Sequence, residues 1–174
     1  MSCFTHTMVT NQKPGSLKVF TTQSAQDMNA LLARARELQF AAHSGTPQRL
    51  LAGKNVGLLC EAADDADAAL FQRAAMALGA RVAQLRTSLS KLSTTDEVRH
   101  TARVLGRLYD AVDCMGMAPD LVNRISAEAG VPVFEGIASA QHPTAALAGQ
   151  LDGSATLEDR RCLVIQAVLL SALA

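Results

Sequence analysis

Four short apolar segments alternate with longer segments of helical periodicity, and this alternation constrains the fold more than any other feature of the chain. The strand-like segments are Asn55–Cys60, Arg81–Leu85, Ala111–Met115 and Val131–Ile137. The helical segments that follow the first three are Ala66–Leu78, Asp96–Tyr109 and Pro119–Ala129. Such an alternation predicts an α/β fold in which a four-stranded parallel sheet carries helices on both faces.

A further helix is predicted before the first strand. Ser24 and Asp27 have the spacing of a capping box, and apolar residues then recur at helical spacing until Gly45 and Pro47. Residues 1–16 show no apolar period, so we interpret them as a flexible or oligomer-contact arm. The domain is therefore expected to occupy residues 17–174.

Two more helices are predicted after the fourth strand. One begins at His142, and a strongly apolar one covers Leu157–Leu173 after the turn Asp152-Gly153-Ser154. The apolar segment is too short to cross a bilayer. A buried core helix that closes the domain is the better interpretation.

Composition narrows the classes of partner and site. The 16 basic and 16 acidic residues balance without long runs of one sign, which favours neither a nucleic-acid nor a membrane partner. The N-terminus lacks the order of a signal peptide. Four cysteines at irregular spacing, Cys3, Cys60, Cys114 and Cys162, favour structural, reduced thiols of a cytoplasmic protein with no metal or cofactor.

Ligands of open parallel sheets bind beyond the carboxyl ends of the strands. Four segments of this chain are expected there: Glu61–Asp67, Thr87–Thr95, Cys114–Pro119 and Gly136–Thr144. Two further acids, Asp110 and Asp113, are expected to bound the third strand.

The turn after the first strand carries Asp64, Asp65 and Asp67. Free N–H groups at a helix start ordinarily attract anions. A phosphate about 5 Å from an unpaired aspartate would meet roughly 3 kcal/mol of repulsion at an effective dielectric near 20, which exceeds the dipole's contribution of about 1 kcal/mol. Capping of the helix by Asp64 or Asp65 and a cation or amine site remain as alternatives, although no histidine or glutamate at metal-ligand spacing accompanies them.

His142 follows the fourth strand and should lie at the same edge. Its imidazole could donate a hydrogen bond to a carbonyl oxygen of a ligand. With Pro143 at the first helical position, periodicity alone favours the alternative that His142 is a residue that starts a helix.

Five segments resemble the aspartate/ornithine carbamoyltransferase family, and within it the ornithine carbamoyltransferases. They are Leu51–Leu59, Gly79–Val82, Thr101–Asp110, Ala129–Val133 and His142–Thr144. They keep the family's order and spacing over about residues 17–151, which implies the family's carbamoyl-phosphate domain. Glu158–Leu173 resembles the family's C-terminal helix, which in the family follows a second, amino-acid-binding domain. The resemblance thus implies that the second domain is missing and the closing helix is kept.

The resemblance also assigns the family's functional positions to residues of this chain. The phosphate-cradling Ser-Thr-Arg-Thr-Arg turn falls on Asp64-Asp65-Ala66-Asp67-Ala68, without either arginine or either threonine. Three other positions are replaced: Met115 stands in place of an arginine, Ala145 in place of a glutamine, and Thr94 or Thr95 in place of a loop lysine or histidine. Two are kept: His142 is the retained histidine, and Arg161 matches an arginine of the family.

The resemblance and these departures together imply a catalytically inactive, carbamoyltransferase-like single-domain protein, with no catalytic set intact and a homotrimeric assembly. A small molecule or a partner protein could be its ligand. One alternative is a carbamoyl- or carboxyl-group transferase of amino-acid metabolism whose site is completed by a partner chain. Another is an interaction module that assembles with a full-length carbamoyltransferase.

Overall fold

A parallel sheet flanked by helices organises the computed structural model, which describes residues 24–46, 49–60 and 66–174. The helices are α1 (Ala25–His43), α2 (Ala66–Ala77), α3 (Thr95–Leu108), α4 (Pro119–Ala129) and α5 (Leu157–Leu173), with a 3-10 helix over Pro143–Gln150. The strands are β1 (Asn55–Leu59), β2 (Arg81–Leu85), β3 (Ala111–Cys114) and β4 (Val133–Phe134). The predicted arm, residues 1–16, lies outside the described residues, as do Pro47, Asp64 and Asp65.

The described strands form one sheet in the order β2-β1-β3-β4, and every pairing is parallel. Leu59 at the end of β1 is in register with Leu85 of β2 and with Cys114 of β3. From β1 the chain moves to one side of the sheet, and from β3 it moves to the other. The carboxyl ends of β1 and β3 therefore flank the switch point at which ligands of such sheets bind. The predicted α/β fold is confirmed.

Helices cover both faces of the sheet. Helices α1, α2 and α5 and the 3-10 helix pack on one face, and α3 and α4 pack on the other. Successive side chains of a strand point to opposite faces of the sheet. Leu58 thus packs in the core on the α1, α2 and α5 side, and Leu59 packs in the core on the α3 and α4 side. The helices α3 and α4 approach so closely that a Cβ at Gly106 would lie 1.8 Å from the carbonyl oxygen of Ala129.

The last helix has the bounds that its apolar pattern predicts, and it packs against α1, α2 and the 3-10 helix. Its buried residues are Cys162, Val164, Ile165, Gln166, Ala167, Val168, Leu169 and Leu170. Burial on most of its circumference explains why the segment is apolar nearly all round. In the described part of the chain, no helix is long and apolar enough to span a bilayer.

Two elements differ from the sequence prediction in type or by more than one residue at an end. Strand β4 covers two residues instead of Val131–Ile137, because the N–H groups of Gly136 and Ile137 donate to the side chain of Asp113 rather than to a neighbouring strand. The helix predicted from His142 is a 3-10 helix, for which His142 is the N-cap.

Candidate functional site

A cleft of about 430 Å³ opens beyond the carboxyl ends of β3 and β4. Its lining includes Cys114 and Met117 from the β3 side, and Glu135, Ser139, Gln141 and His142 from the segment after β4. Two of the four segments expected at this edge therefore meet in one cleft. Its volume is in the range of small-molecule sites.

The imidazole of His142 is held by the start of the 3-10 helix. Its Nδ1 lies 2.8 Å from Oγ1 of Thr144 and accepts the backbone N–H of the same residue at 3.3 Å. Because a backbone N–H can only donate, these contacts assign the proton of the neutral ring to Nε2. His142 is thus both a buried helix cap and a lining residue of the cleft.

An ion pair joins Asp67 and Arg161 beside this edge. The guanidinium donates to Oδ1 of Asp67 at 3.0 Å, and the same nitrogen donates to the carbonyl oxygen of Ala138. Both side chains are partly buried, with exposed fractions of 31% for Asp67 and 22% for Arg161. The charge of Arg161 is therefore balanced by an acid of this chain. The other two aspartates of the turn, Asp64 and Asp65, lie outside the described residues.

The positions at which the resemblance places further cationic or polar groups are apolar here. Met115 is buried in the core on the α2 and α5 side, and Ala68 is buried in the same cluster. Ala145 is partly exposed in the 3-10 helix. None of these side chains can hydrogen-bond to a phosphate.

Thr94 is engaged as the N-cap of α3. Its side chain accepts the backbone N–H of Glu97 at 3.3 Å, and the Glu97 carboxylate accepts the Thr94 backbone N–H at 2.6 Å. The hydrogen bonds from Thr94 hold the pKa of Glu97 below its ordinary value. Thr95, the other candidate in this loop, is the first residue of the helix. The described geometry thus explains Thr94 as a capping residue.

Asp113 is a buried acid that the sequence analysis placed incorrectly. It lies inside β3 with no exposed surface, whereas Asp110 does precede the strand and accepts the backbone N–H of Asn55 at 2.8 Å. Oδ1 of Asp113 accepts N–H groups from Gly136 at 2.9 Å and Ile137 at 3.3 Å, and Oδ2 of Asp113 has no partner among the described residues.

Burial raises the pKa of Asp113 to about 7, and the two backbone hydrogen bonds oppose that rise. The sequence signal for a buried Asp113 was an acidic residue in the middle of an apolar, strand-like segment. Because a strand-end acid has the same appearance when the strand bounds are uncertain, periodicity alone does not separate the two cases.

The described cysteines do not form a reactive site. Cys60, Cys114 and Cys162 are free and buried. Burial raises the pKa of the Cys114 and Cys162 thiols, and the charges of Asp113 and Glu135 raise that of Cys114 further. Thiols of this kind are poor nucleophiles near neutral pH. Within residues 24–46, 49–60 and 66–174, no group of acidic, histidine and cysteine side chains is placed to hold a metal ion.

A domain family matches most of the chain. Residues 16–152 match the family described as "Aspartate/ornithine carbamoyltransferase, carbamoyl-P binding domain". The match ends before α5, which begins at Leu157.

Curated relatives and solved structures agree with that match. An ornithine carbamoyltransferase of Actinobacillus pleuropneumoniae is 35% identical over 144 residues, which cover 83% of this chain and 43% of the relative. A catabolic ornithine carbamoyltransferase of Burkholderia mallei is 38% identical over 125 residues, or 72% of this chain and 37% of the relative. The structure of ornithine carbamoyltransferase from Pyrococcus furiosus superposes with a TM-score of 0.62 at 26% identity, covering 73% of this chain and 41% of that one. The chain thus spans less than half the length of these relatives.

Proposed function

This chain belongs to the aspartate/ornithine carbamoyltransferase family, and we propose that it is a member without carbamoyltransferase activity of its own. In this proposal the domain keeps the scaffold of the carbamoyl-phosphate domain and does not bind carbamoyl phosphate. Its role is then to bind another ligand or a protein partner.

The ion pair between Asp67 and Arg161 carries the proposal. Transfer of a carbamoyl group from its phosphate requires fixed cations and donors around the phosphate and the carbonyl oxygen. The guanidinium of Arg161 is already 3.0 Å from a carboxylate, and that carboxylate stands at a position where the resemblance places a threonine. Because this carboxylate already pairs with the guanidinium, the charge of Arg161 is not available to stabilise a phosphate.

The connection into α5 supports the same proposal. The 3-10 helix ends at Gln150 and α5 begins at Leu157, so only residues 151–156 separate them. The resemblance places the amino-acid-binding domain between the corresponding elements. No acceptor domain is inserted at that point of this chain.

Isothermal titration of the full chain with carbamoyl phosphate tests the proposal. We expect no binding tighter than about 100 μM, which corresponds to roughly −5.5 kcal/mol. The positive control is a full-length ornithine carbamoyltransferase in the same buffer. Tighter binding by this chain alone would overturn the proposal.

We further propose that the domain assembles with other carbamoyltransferase-like chains. The resemblance implies a trimer built through this domain, and the loop before α3 exposes Leu92 to 94% of its possible surface. Light scattering of the chain alone is expected to show a trimer. Scattering of its mixture with a full-length carbamoyltransferase tests hetero-assembly, and titration of that mixture with carbamoyl phosphate tests whether a partner completes the site. A monomer in both samples would contradict the assembly proposal.

A further inference from the structure

A buried carboxyl group attaches the segment after β4 to the sheet. Strand β4 ends at Phe134, which is in register with Asp113 of β3. Beyond that point the N–H groups of Gly136 and Ile137 donate to Oδ1 of Asp113 at 2.9 and 3.3 Å. A side chain thus takes the place of a neighbouring strand's backbone where the chain leaves the sheet.

Residues 135–142, here called the wall segment, form one wall of the cleft beyond β3 and β4. Those that line the cleft are Glu135, Gly136, Ser139, Gln141 and His142. The N–H of Ser139 donates to the carbonyl oxygen of Gly136 at 2.8 Å, so the segment folds on itself after it leaves the sheet. Gly136 has a φ of +62°, and a Cβ built on it would have no atom closer than 3.8 Å. The attachment point is therefore a glycine that is not tightly enclosed.

Two opposite effects act on the charge of Asp113. The two N–H donors favour the carboxylate, whereas burial favours the neutral acid. Burial prevails, since the pKa is about 7 instead of 3.8. Oδ2 has no partner among the described residues, so a carboxylate formed under the closed segment keeps an oxygen without a donor. Movement of the wall segment toward the cleft would bring water to that oxygen.

The neighbours of Asp113 in the sheet and in the covering helices are mostly apolar. Its register partners are Leu58 in β1 and Phe134 in β4. The residues that α1 and α2 bury are all apolar, and the 3-10 helix contains no charged residue. These elements therefore bring no buried counter-charge to the carboxyl group.

The charged and titratable groups around the wall segment are Arg161 of α5, Asp67 of α2, and Glu135 and His142 of the segment itself. Arg161 and Asp67 pair with each other at 3.0 Å, and Arg161 also contacts the carbonyl oxygen of Ala138. The other charged residues of α5, Glu158, Asp159 and Arg160, contact Arg73 or the carbonyl oxygen of Leu151 instead. Glu135 and His142 are the groups of the segment whose titration has to be separated from that of Asp113.

We propose that ionisation of Asp113 releases the wall segment from the sheet, so that the cleft wall is closed over the protonated acid and opens over the carboxylate. On opening, the proton passes to solvent, and the N–H groups of Gly136 and Ile137 exchange the carboxyl oxygen for water. The inference goes beyond the proposed function because it concerns access to the cleft, and it does not depend on which ligand the cleft takes.

The difference in pKa between the closed and the open form determines the size of the effect. In the open form Asp113 is in water and has its ordinary pKa of 3.8, against about 7 in the closed form. The equilibrium constant for opening should therefore rise about tenfold per pH unit from about pH 4 to about pH 7, and level off above pH 7.

Native-state hydrogen exchange of the full ¹⁵N-labelled chain tests the inference at the amides of Gly136 and Ile137. Divided by the intrinsic rates of unstructured peptides, their exchange rates should rise about tenfold per pH unit up to about pH 7. Because local opening exposes little surface, urea below the unfolding transition should change these rates little. The amide of Leu169, inside α5, is the comparison and should accelerate with urea, since its release requires more of the fold to open.

Three variants identify the titrating group. Asp113→Asn keeps an acceptor for the two N–H groups and cannot ionise, so the pH dependence should disappear. Glu135→Gln and His142→Asn are the matched controls and should keep it. Asparagine can still cap the 3-10 helix that begins after His142.

The inference is overturned if the corrected exchange of Gly136 and Ile137 does not vary with pH, or if it follows urea as Leu169 does. It is also overturned if the pH dependence persists in Asp113→Asn or is lost in His142→Asn or Glu135→Gln. Should Asp113→Asn fail to fold, the pH and urea series on the unmodified chain and the two control variants decide the question.

Discussion

The guanidinium of Arg161 on α5 donates to the carboxylate of Asp67 in the first turn of α2 across 3.0 Å. The pair joins the closing helix to the helix that begins at the switch point of the sheet. It also places an internal carboxylate against an arginine that the resemblance assigns to the ligand edge. One contact therefore stabilises the packing of α5 and balances the charge of Arg161.

We predict that Arg161→Ala lowers the free energy of unfolding by about 1–2 kcal/mol, because the guanidinium contacts both Asp67 and the carbonyl oxygen of Ala138. In a double-mutant cycle with Asp67→Asn, a partly buried pair should give a coupling energy of about 0.5–1 kcal/mol. Urea unfolding measures both quantities. Arg34→Ala, from the exposed pair with Glu37, should change stability by less than about 0.5 kcal/mol. A coupling of zero would show that the pair does not hold α5.

Gly106 is predicted to be required for the contact between α3 and α4. A Cβ at this position would lie 1.8 Å from the carbonyl oxygen of Ala129, so Gly106→Ala must separate the helices. We expect a loss of about 1–3 kcal/mol, the usual cost of overpacking, measured as a lower urea midpoint.

Gly149→Ala is the matched control, since no atom lies within 4 Å of the added Cβ and the backbone angle is ordinary. It should be neutral or slightly stabilising. Equal midpoints for the two variants would contradict the close packing of α3 on α4.

Local patterns predicted the elements whose causes are local. Helices α4 and α5 have their predicted bounds, and the capping box of α1 forms at Ser24 and Asp27 as its spacing indicates. Each depends on residues within a few positions of one another. The alternation of strands and helices likewise predicted a parallel sheet, because parallel strands require crossover connections, usually through a helix.

The candidate site was less predictable because its contacts join distant parts of the chain. Asp113 shortens β4 by accepting N–H groups from residues more than twenty positions away, and no periodicity contains that information. The same holds for Arg161 and Asp67, which are 94 positions apart. The resemblance identified both positions, and only the structure shows that they form a pair.

A substitution at Leu169 tests whether α5 is part of the core. It has no exposed surface, whereas Leu157 on the same helix has an exposed fraction of 57%. Leu169→Ala should lower the free energy of unfolding by about 2–5 kcal/mol because it leaves a cavity. Leu157→Ala is expected to cost less than about 1 kcal/mol. Urea midpoints that fall equally in the two variants would show that α5 does not pack as described.

The buried carboxyl group of Asp113 should make the free energy of unfolding depend on pH. Its pKa is about 7 in the folded protein against an ordinary value of 3.8, so the folded state holds this proton more tightly than the unfolded state does. The contribution of this group is most favourable below about pH 4. It declines from about pH 4 to about pH 7, and above pH 7 the full cost of burying the charge remains. That cost is roughly 4 kcal/mol.

Asp113→Asn removes the buried charge and keeps an oxygen that can accept the N–H groups of Gly136 and Ile137. Its new N–H₂ group replaces Oδ2, which has no partner among the described residues and which in the protonated acid is likewise a buried donor. Relative to the unmodified chain, the variant should therefore differ little in stability near pH 4 and be more stable near pH 8, where the unmodified chain bears the cost of the buried charge. Urea unfolding across this range measures the difference, in which other titrating groups largely cancel. A difference that does not change with pH would mean that Asp113 ionises in the fold as easily as it does in water.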